Sequence, residues 1–366
     1  MGNRVMFGSS FLFIFISFFI FNLASSEAQM APALYVFGDS LVDVGNNNYL
    51  ALSTERAILP HYGIDFPTKK PNGRFCNGKN AADLIAEKLG VPTSPPYLSL
   101  ASKVRNNKNI SFLNGVSFAS GGAGIFDAKD DVSIQNIPFT KQVDYYSQVH
   151  EQMTQQVGAP TLQKLLSKSI FAIVIGSNDV FGYFNSKDLQ NKSTPQQYVD
   201  SMASSLKVQL QRLYNYGARK FEVAGLSAIG CCPAYRLKNN TECVSEANLM
   251  SAKYNEGLKS VLKEWQLENK DISYSYFDTY AALQDLIQNP TSYGFSEVKA
   301  ACCGLGKLNA QLPCLPISSI CSNRQDHVFW DPFHPTEAAA RIIVDRIFNG
   351  SSKYTFPINM RQLLAI

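Results

Sequence analysis

Short apolar runs recur along this chain, each closed by a turn and followed by a longer amphipathic stretch. The run 33–37 ends at Gly38-Asp39, 170–175 at Gly176 and 220–224 at Gly225. The run 272–277 is a fourth, more alternating, and 116–119 is a candidate fifth. Their length and their β-branched and aromatic content predict buried strands. Between them, apolar residues return at helical spacing. Ala81, Leu84, Ile85 and Leu89 do so in 80–89, and Val199, Met202, Leu206, Leu210 and Leu213 in 195–216. Leu249, Met250, Tyr254, Leu258, Val261, Leu262 and Trp265 mark 246–268, and Ile342, Ile343 and Ile347 mark 336–348, where Thr336 is the expected N-cap. Strands alternating with helices of this length predict βαβ units, hence an α/β fold with a mostly parallel sheet and helices on both faces. Such sheets bind ligands beyond the carboxyl ends of their strands, so the turns after Phe37 and Ile175 are where chemistry is expected.

The N-terminus reads as a targeting segment. Arg4 supplies a positive start, 11–23 is almost entirely apolar, and Ser26-Glu27-Ala28 fits a small-x-small cleavage site. This predicts a secretory signal peptide over 1–28 and one mature domain over 29–366. The apolar run is short of the roughly 20 residues that a span needs, so no stable membrane anchor is expected. With 45% hydrophobic residues the chain can build a core, and a formal charge of +4 with no Lys/Arg-rich run argues against nucleic acid as a partner. The oligomeric state is not legible.

Secretion changes how the eight cysteines read. All lie beyond residue 28, and an even number in an oxidising compartment favours disulfides. Cys232–Cys243 and Cys303–Cys314 are plausible short loops. No metal site is expected, because no Cys-x2-Cys pair lies near a His-x3-5-His pair. Sequons at Asn109, Asn191, Asn239 and Asn349 are expected glycosylation sites.

Four short motifs carry chemistry. Ser40, in Phe37-Gly38-Asp39-Ser40, stands where a strand gives way to a turn, and could present its hydroxyl beside free backbone N–H groups. A serine nucleophile needs a base. Of four histidines, His334 alone follows an aspartate by three residues and lies between prolines, so one stiff loop could hold Asp331 and the imidazole in register as in a Ser-His-Asp triad. His61, His150 and His327 read as structural or surface residues. Asn178, in Gly176-Ser177-Asn178-Asp179, offers an amide donor at a strand end, and Ser120-Gly121-Gly122-Ala123-Gly124 offers unobstructed N–H groups. With the Ser40 N–H these make a three-donor oxyanion hole. The glycines do not follow Gly-x-Gly-x-x-Gly, so a phosphate loop is not expected.

Together these motifs resemble the four blocks of the plant GDSL esterase/lipases, a branch of the SGNH hydrolases. The blocks are 37–40, 114–124, 176–179 and 331–336; Leu41 completes Gly-Asp-Ser-Leu, and 43–48 and 73–75 also resemble the plant branch. The resemblance implies a flavodoxin-like α/β/α sandwich and a secreted carboxylic ester hydrolase acting on a small-molecule or lipid ester without cofactor or metal. By position it makes Ser40 the nucleophile, His334 the base, Asp331 its orienter, and Ser40, Gly122 and Asn178 the oxyanion hole, with Gly121 the close alternative to Gly122. No Gly-x-Ser-x-Gly elbow occurs, which argues against the α/β-hydrolase type. An acyltransferase, or an idle lipid- or carbohydrate-binding protein on the same scaffold, are the alternatives. A metal hydrolase built on Asp39, Asp43 and His334 is the least favoured. Phe126, Ile134, Ile137, Phe139, Phe181, Tyr183, Phe184 and Phe333 could make an apolar groove for the acyl chain.

Overall fold

The computed structural model describes residues 29–105, 110–127 and 135–366. The expected signal peptide and Asn109 lie outside them. Four parallel strands run in chain order across the central sheet: β1 (Leu34–Gly38), β2 (Ile170–Val174), β3 (Lys220–Ala224) and β4 (Ser273–Phe277). A short antiparallel strand, Thr355–Pro357, closes the β4 edge. The fifth expected run forms no regular strand, but it lies along the free edge of β1. Val36 N–H donates to Val116, and Phe118 and Ser120 N–H donate to Val36 and Gly38. Its other edge is taken by Pro95 and Tyr97, so its backbone groups are paired although the ladder is irregular. With this segment included, the order in space is 2-1-3-4-5, the flavodoxin-like order with its switch point at β1.

Side chains alternate between the faces, as the pleat dictates. Tyr35, Phe37, Phe171, Ile173, Phe221 and Val223 face a core shared with the helices Phe139–Val157, Pro195–Asn215 and Ser245–Glu268. Leu34, Val36, Ile170 and Ala172 face a second core with the helices Ala81–Leu89, Glu337–Asn349 and Met360–Ala365. The expected N-cap forms: the Thr336 side chain accepts from Ala339 N–H.

Three disulfides form, and one corrects the expectation. Cys243 bonds Cys231, not Cys232, because the turn Ile229–Cys231 brings those Cα atoms to 4.3 Å while Cys232 becomes the N-cap position of the helix Pro233–Lys238. Cys303–Cys314 forms as expected, and Cys302–Cys321 joins it. Cys76 and Cys232 are buried thiols. Among the described residues no helix is long and apolar enough to cross a membrane.

A buried ion pair holds the segment before the helix Ala81–Leu89. Arg74 grips Asp83 through Nε at 2.5 Å and Nη2 at 2.8 Å, and Asp83 also accepts from Asn80 N–H and Thr93 Oγ1. With side chains only 9% and 2% exposed, loss of one partner strands the other charge. Arg74→Ala is therefore expected to cost about 3–5 kcal/mol in urea unfolding; a cost below about 1 kcal/mol would show that water reaches Asp83.

Candidate active site

The exit of β1 is tightly fitted. A Cβ on Gly38 would lie 2.2 Å from the Val174 carbonyl oxygen and 2.6 Å from Val42 Cγ2, so only glycine lets the chain turn there. Gln142, on the helix Phe139–Val157, clamps the same peptide unit: its Oε1 accepts from Gly38 N–H and its Nε2 donates to the Gly38 carbonyl, both at 2.8 Å. Ser40 follows immediately.

His334 Nε2 lies 2.7 Å from Ser40 Oγ, and His334 Nδ1 lies 2.8 Å from both Asp331 carboxylate oxygens. The three side chains thus line up although Ser40 and His334 are 294 positions apart. The 331–334 turn is held by Asp331 itself, whose Oδ1 accepts from Phe333 and His334 N–H at 2.9 and 2.8 Å. Tyr62 donates its hydroxyl to the other oxygen at 2.9 Å. Trp330 N–H to the His334 carbonyl and Thr336 N–H to Val328 brace the loop from behind. Phe75 lies against the imidazole with ring centroids 5.0 Å apart.

Burial works against charge on both members of the pair, but their mutual attraction outweighs it. The charge of His334, its hydrogen bond and the two backbone N–H groups hold Asp331 below the ordinary carboxylate range. The Asp331 carboxylate raises His334 above its ordinary 6.5. The base form of His334 is therefore lost as pH falls through a value above 6.5. If His334 is the base, kcat/KM has an acid limb with its midpoint above pH 6.5 in a pH–rate profile, and a midpoint below 6.5 would contradict this pairing.

The three expected oxyanion donors stand at three neighbouring strand ends. Ser40 follows β1, Gly122 follows the segment 116–120, and Asn178 opens the helix Ser177–Asn185 after β2. Among the described residues, the Ser40 and Gly122 N–H groups have no acceptor in the protein. Gly121 N–H is donated to Asp43 Oδ2 at 3.0 Å. Gly122 adopts φ +78, a left-handed conformation that suits glycine. Asn178 spends one amide hydrogen on the Ala123 carbonyl at 2.9 Å, which fixes the side chain and leaves the second hydrogen.

A ring of buried polar groups positions these donors. Asp43 Oδ1 accepts from Gly45 and Asn46 N–H, so both its oxygens are taken by backbone, which is poor provision for a metal. Asn46 donates to the Ser117 and Ala119 carbonyls, and Asn47 to that of Gly121. The 43–48 stretch is thus a lace between the β1 exit and the glycine turn. Asp179 does the same on the other side, accepting from Ile125 and Phe126 N–H. Burial pushes Asp43 and Asp179 up to about 6, against these N–H groups. Asp39 keeps one oxygen on Leu41 N–H and has none on the other; burial pushes it up to about 7.

The other histidines stand apart. His61 meets the Pro316 carbonyl, His327 pairs with Asp326, and His150 packs on Tyr146 and Tyr216. Asn191, Asn239 and Asn349 are exposed. Of the residues that could line an apolar groove, Ile137, Phe139 and Tyr183 are core, Ile134 lies outside the described residues, and Phe333 is 46% exposed beside His334. Gln142 and Tyr62 carry no mark in the sequence, and Phe75 stands there only within the 73–75 resemblance, with no role attached. Gln142 sits inside a helix, and only the Phe139, Val143, Tyr146, Val149, Met153 stripe around it was available as a signal.

Residues 34–347 match the family model for GDSL-like lipase/acylhydrolase. A GDSL esterase/lipase of Arabidopsis thaliana is 51% identical over 356 residues, covering 96% of this chain and 94% of the relative. A second from the same plant is 40% identical over 365 residues, covering 96% of each chain, and a third is 38% identical over 359 residues, covering 96% and 95%.

Proposed function

The chain belongs to the GDSL-like lipase/acylhydrolase family and is a carboxylic ester hydrolase; we propose that it works through an acyl-enzyme on Ser40. His334 Nε2 accepts the Ser40 proton as Oγ attacks the ester carbonyl carbon. The oxygen that becomes negative is received by the N–H groups of Ser40 and Gly122 and the free amide hydrogen of Asn178. Imidazolium then gives its proton to the departing alcohol oxygen. Water then attacks the acyl carbon as His334 Nε2 takes its proton; the bond from that carbon to Oγ breaks, the imidazolium returns the proton to Oγ, and the acid leaves with Ser40 restored. Asp331 holds Nδ1 protonated, so that Nε2 faces Ser40 as an acceptor, and balances the imidazolium charge. The carrying observation is the line from Asp331 through His334 to Ser40 at hydrogen-bond distances. The engaged N–H of Gly121 favours Gly122 as the oxyanion glycine.

The test is turnover of p-nitrophenyl acetate, butyrate and palmitate together with labelling by a fluorophosphonate. Ester turnover and a phosphonyl group mapped to Ser40 are the expected results. Turnover without labelling at Ser40 would overturn the acyl-enzyme. Asn178→Ala is expected to lower kcat about 10²–10³-fold with little change in KM; a change confined to KM would move Asn178 from the oxyanion hole to ground-state binding.

We further propose that 1–28 directs secretion, that 29–366 form one catalytic domain, and that Asn109, Asn191, Asn239 and Asn349 accept glycans. Three disulfides and the exposure of the last three asparagines favour an extracellular setting.

A further inference from the structure

Behind the 331–336 loop lies an apolar cavity of about 100 Å³ between the sheet and the helices Ala81–Leu89 and Glu337–Asn349. Its walls include neighbours of the catalytic groups rather than those groups themselves: Leu41 follows Ser40 in the chain, Phe333 and Pro335 flank His334, and Phe75 packs on the imidazole. Glu222 also lines it. Glu222 is 1% exposed; the Ser275 hydroxyl, in register on β4, stands beside its carboxyl and opposes the effect of burial, but neither carboxyl oxygen makes a hydrogen bond of normal geometry. It sits in the middle of β3, in register with Ala172 and Ser275, on the face whose core side is packed by Leu34, Val36, Ile170, Ala172 and Phe277. Thr279, another wall residue, also has an unpaired hydroxyl oxygen. A buried carboxyl with no neighbour among the described residues better placed than the Ser275 hydroxyl is costly, and the cavity is where a stronger partner could enter.

We propose that this cavity is the subsite for the acyl chain of the ester, and that the Glu222 carboxyl selects a chain carrying a hydroxyl group at its far end. The proposal rests on the ester hydrolase reading above. Enclosure suits the acyl part, which stays bound through both steps, whereas the open cleft beside Gly122 and Asn178 lets the alcohol leave. By strand spacing and rise, about 12 Å separates the Glu222 and Gly38 backbones, a gap that a hexanoyl chain and the glutamate side chain bridge together. Burial pushes Glu222 up to about 8, so near neutral pH it is a neutral carboxyl that can both donate to and accept from a hydroxyl.

The experiment compares p-nitrophenyl hexanoate with p-nitrophenyl 6-hydroxyhexanoate. Wild type is expected to favour the hydroxy ester about tenfold in kcat/KM, the scale of one buried hydrogen bond. Glu222→Leu should remove or reverse the preference, and Glu222→Gln, which keeps polar atoms in place, should retain part of it. Near-UV circular dichroism confirms that both variants are folded. A ratio unchanged in either folded variant overturns the proposal, as does a preference for the hydroxyl on the alcohol side of the ester. A second arm needs no turnover: hexane-1,6-diol should bind Ser40→Ala about tenfold more tightly than it binds the Ser40→Ala, Glu222→Leu double variant, by calorimetry. Equal binding overturns the cavity assignment even if esters are hydrolysed. Preferential binding with no ester turnover upholds the cavity and removes the hydrolase reading instead.

Discussion

Ser40→Ala is expected to lower kcat for p-nitrophenyl butyrate by at least about 10⁴-fold while leaving the melting temperature within a few degrees of wild type. The reason is the shape of the site rather than the serine alone. Without Oγ there is no atom at 2.7 Å for His334 Nε2 to activate, and the imidazole, however well oriented, has only bulk water to deprotonate. The N–H groups of the β1 exit and the Gly122 turn do not depend on this side chain, so the variant keeps its oxyanion donors. Residual turnover in such a site is a small remainder over the uncatalysed rate. Fold is spared because Ser40 is only partly buried and its side chain supports no backbone group. A folded variant with more than about a tenth of wild-type activity would place the nucleophile elsewhere.

Asp331→Asn is expected to reduce kcat about 10³–10⁴-fold, nearly as much, through a group that never touches the substrate. Asp331 accepts from four donors: the Phe333 and His334 N–H groups, the Tyr62 hydroxyl and His334 Nδ1. Asparagine has one acceptor oxygen and must aim its NH2 at the remaining partners. If that NH2 faces Nδ1, the ring is forced to carry its proton on Nε2, which then donates to Ser40 instead of accepting from it. The same change removes the charge that raises the His334 pKa, so the acid limb of the surviving activity should move to lower pH. A drop below about tenfold, or an unmoved acid limb, would show that Asp331 only shapes the turn.

The strands and the catalytic motifs were legible because each is local. Apolar runs closed by glycine after the first three and by Asp278 after the fourth matched β1 to β4 to within a residue or two, and the helix Ser245–Glu268 begins one residue before the stretch 246–268. The Asp331–His334 pairing was legible because three intervening bonds and two prolines are a short-range constraint. What escaped was long-range. Tyr62 reaches Asp331 across 269 positions and Gln142 reaches Gly38 across 104, and neither carries a mark in its own neighbourhood. The disulfide of Cys231 turned on one residue of register in a 3-10 turn, below what spacing resolves. The segment 116–119 was ambiguous for a physical reason: one flank pairs with β1 and the other with a proline-bearing loop, so it is half a strand.

The distance in sequence between Ser40 and His334 also sets a schedule. A ribosome completes β1 early and the 331–336 loop near the end of the chain. At about 5–20 residues per second the nucleophile exists for roughly 15–60 s before its base has been made. Through that interval the nascent chain has Ser40 and the Gly122 turn but no His334 to accept a proton. It is chemically silent until the last stretch of polypeptide docks. The order of synthesis by itself keeps a growing chain from acting on esters around it, and a chain ended before residue 331 stays inactive however well its sheet folds.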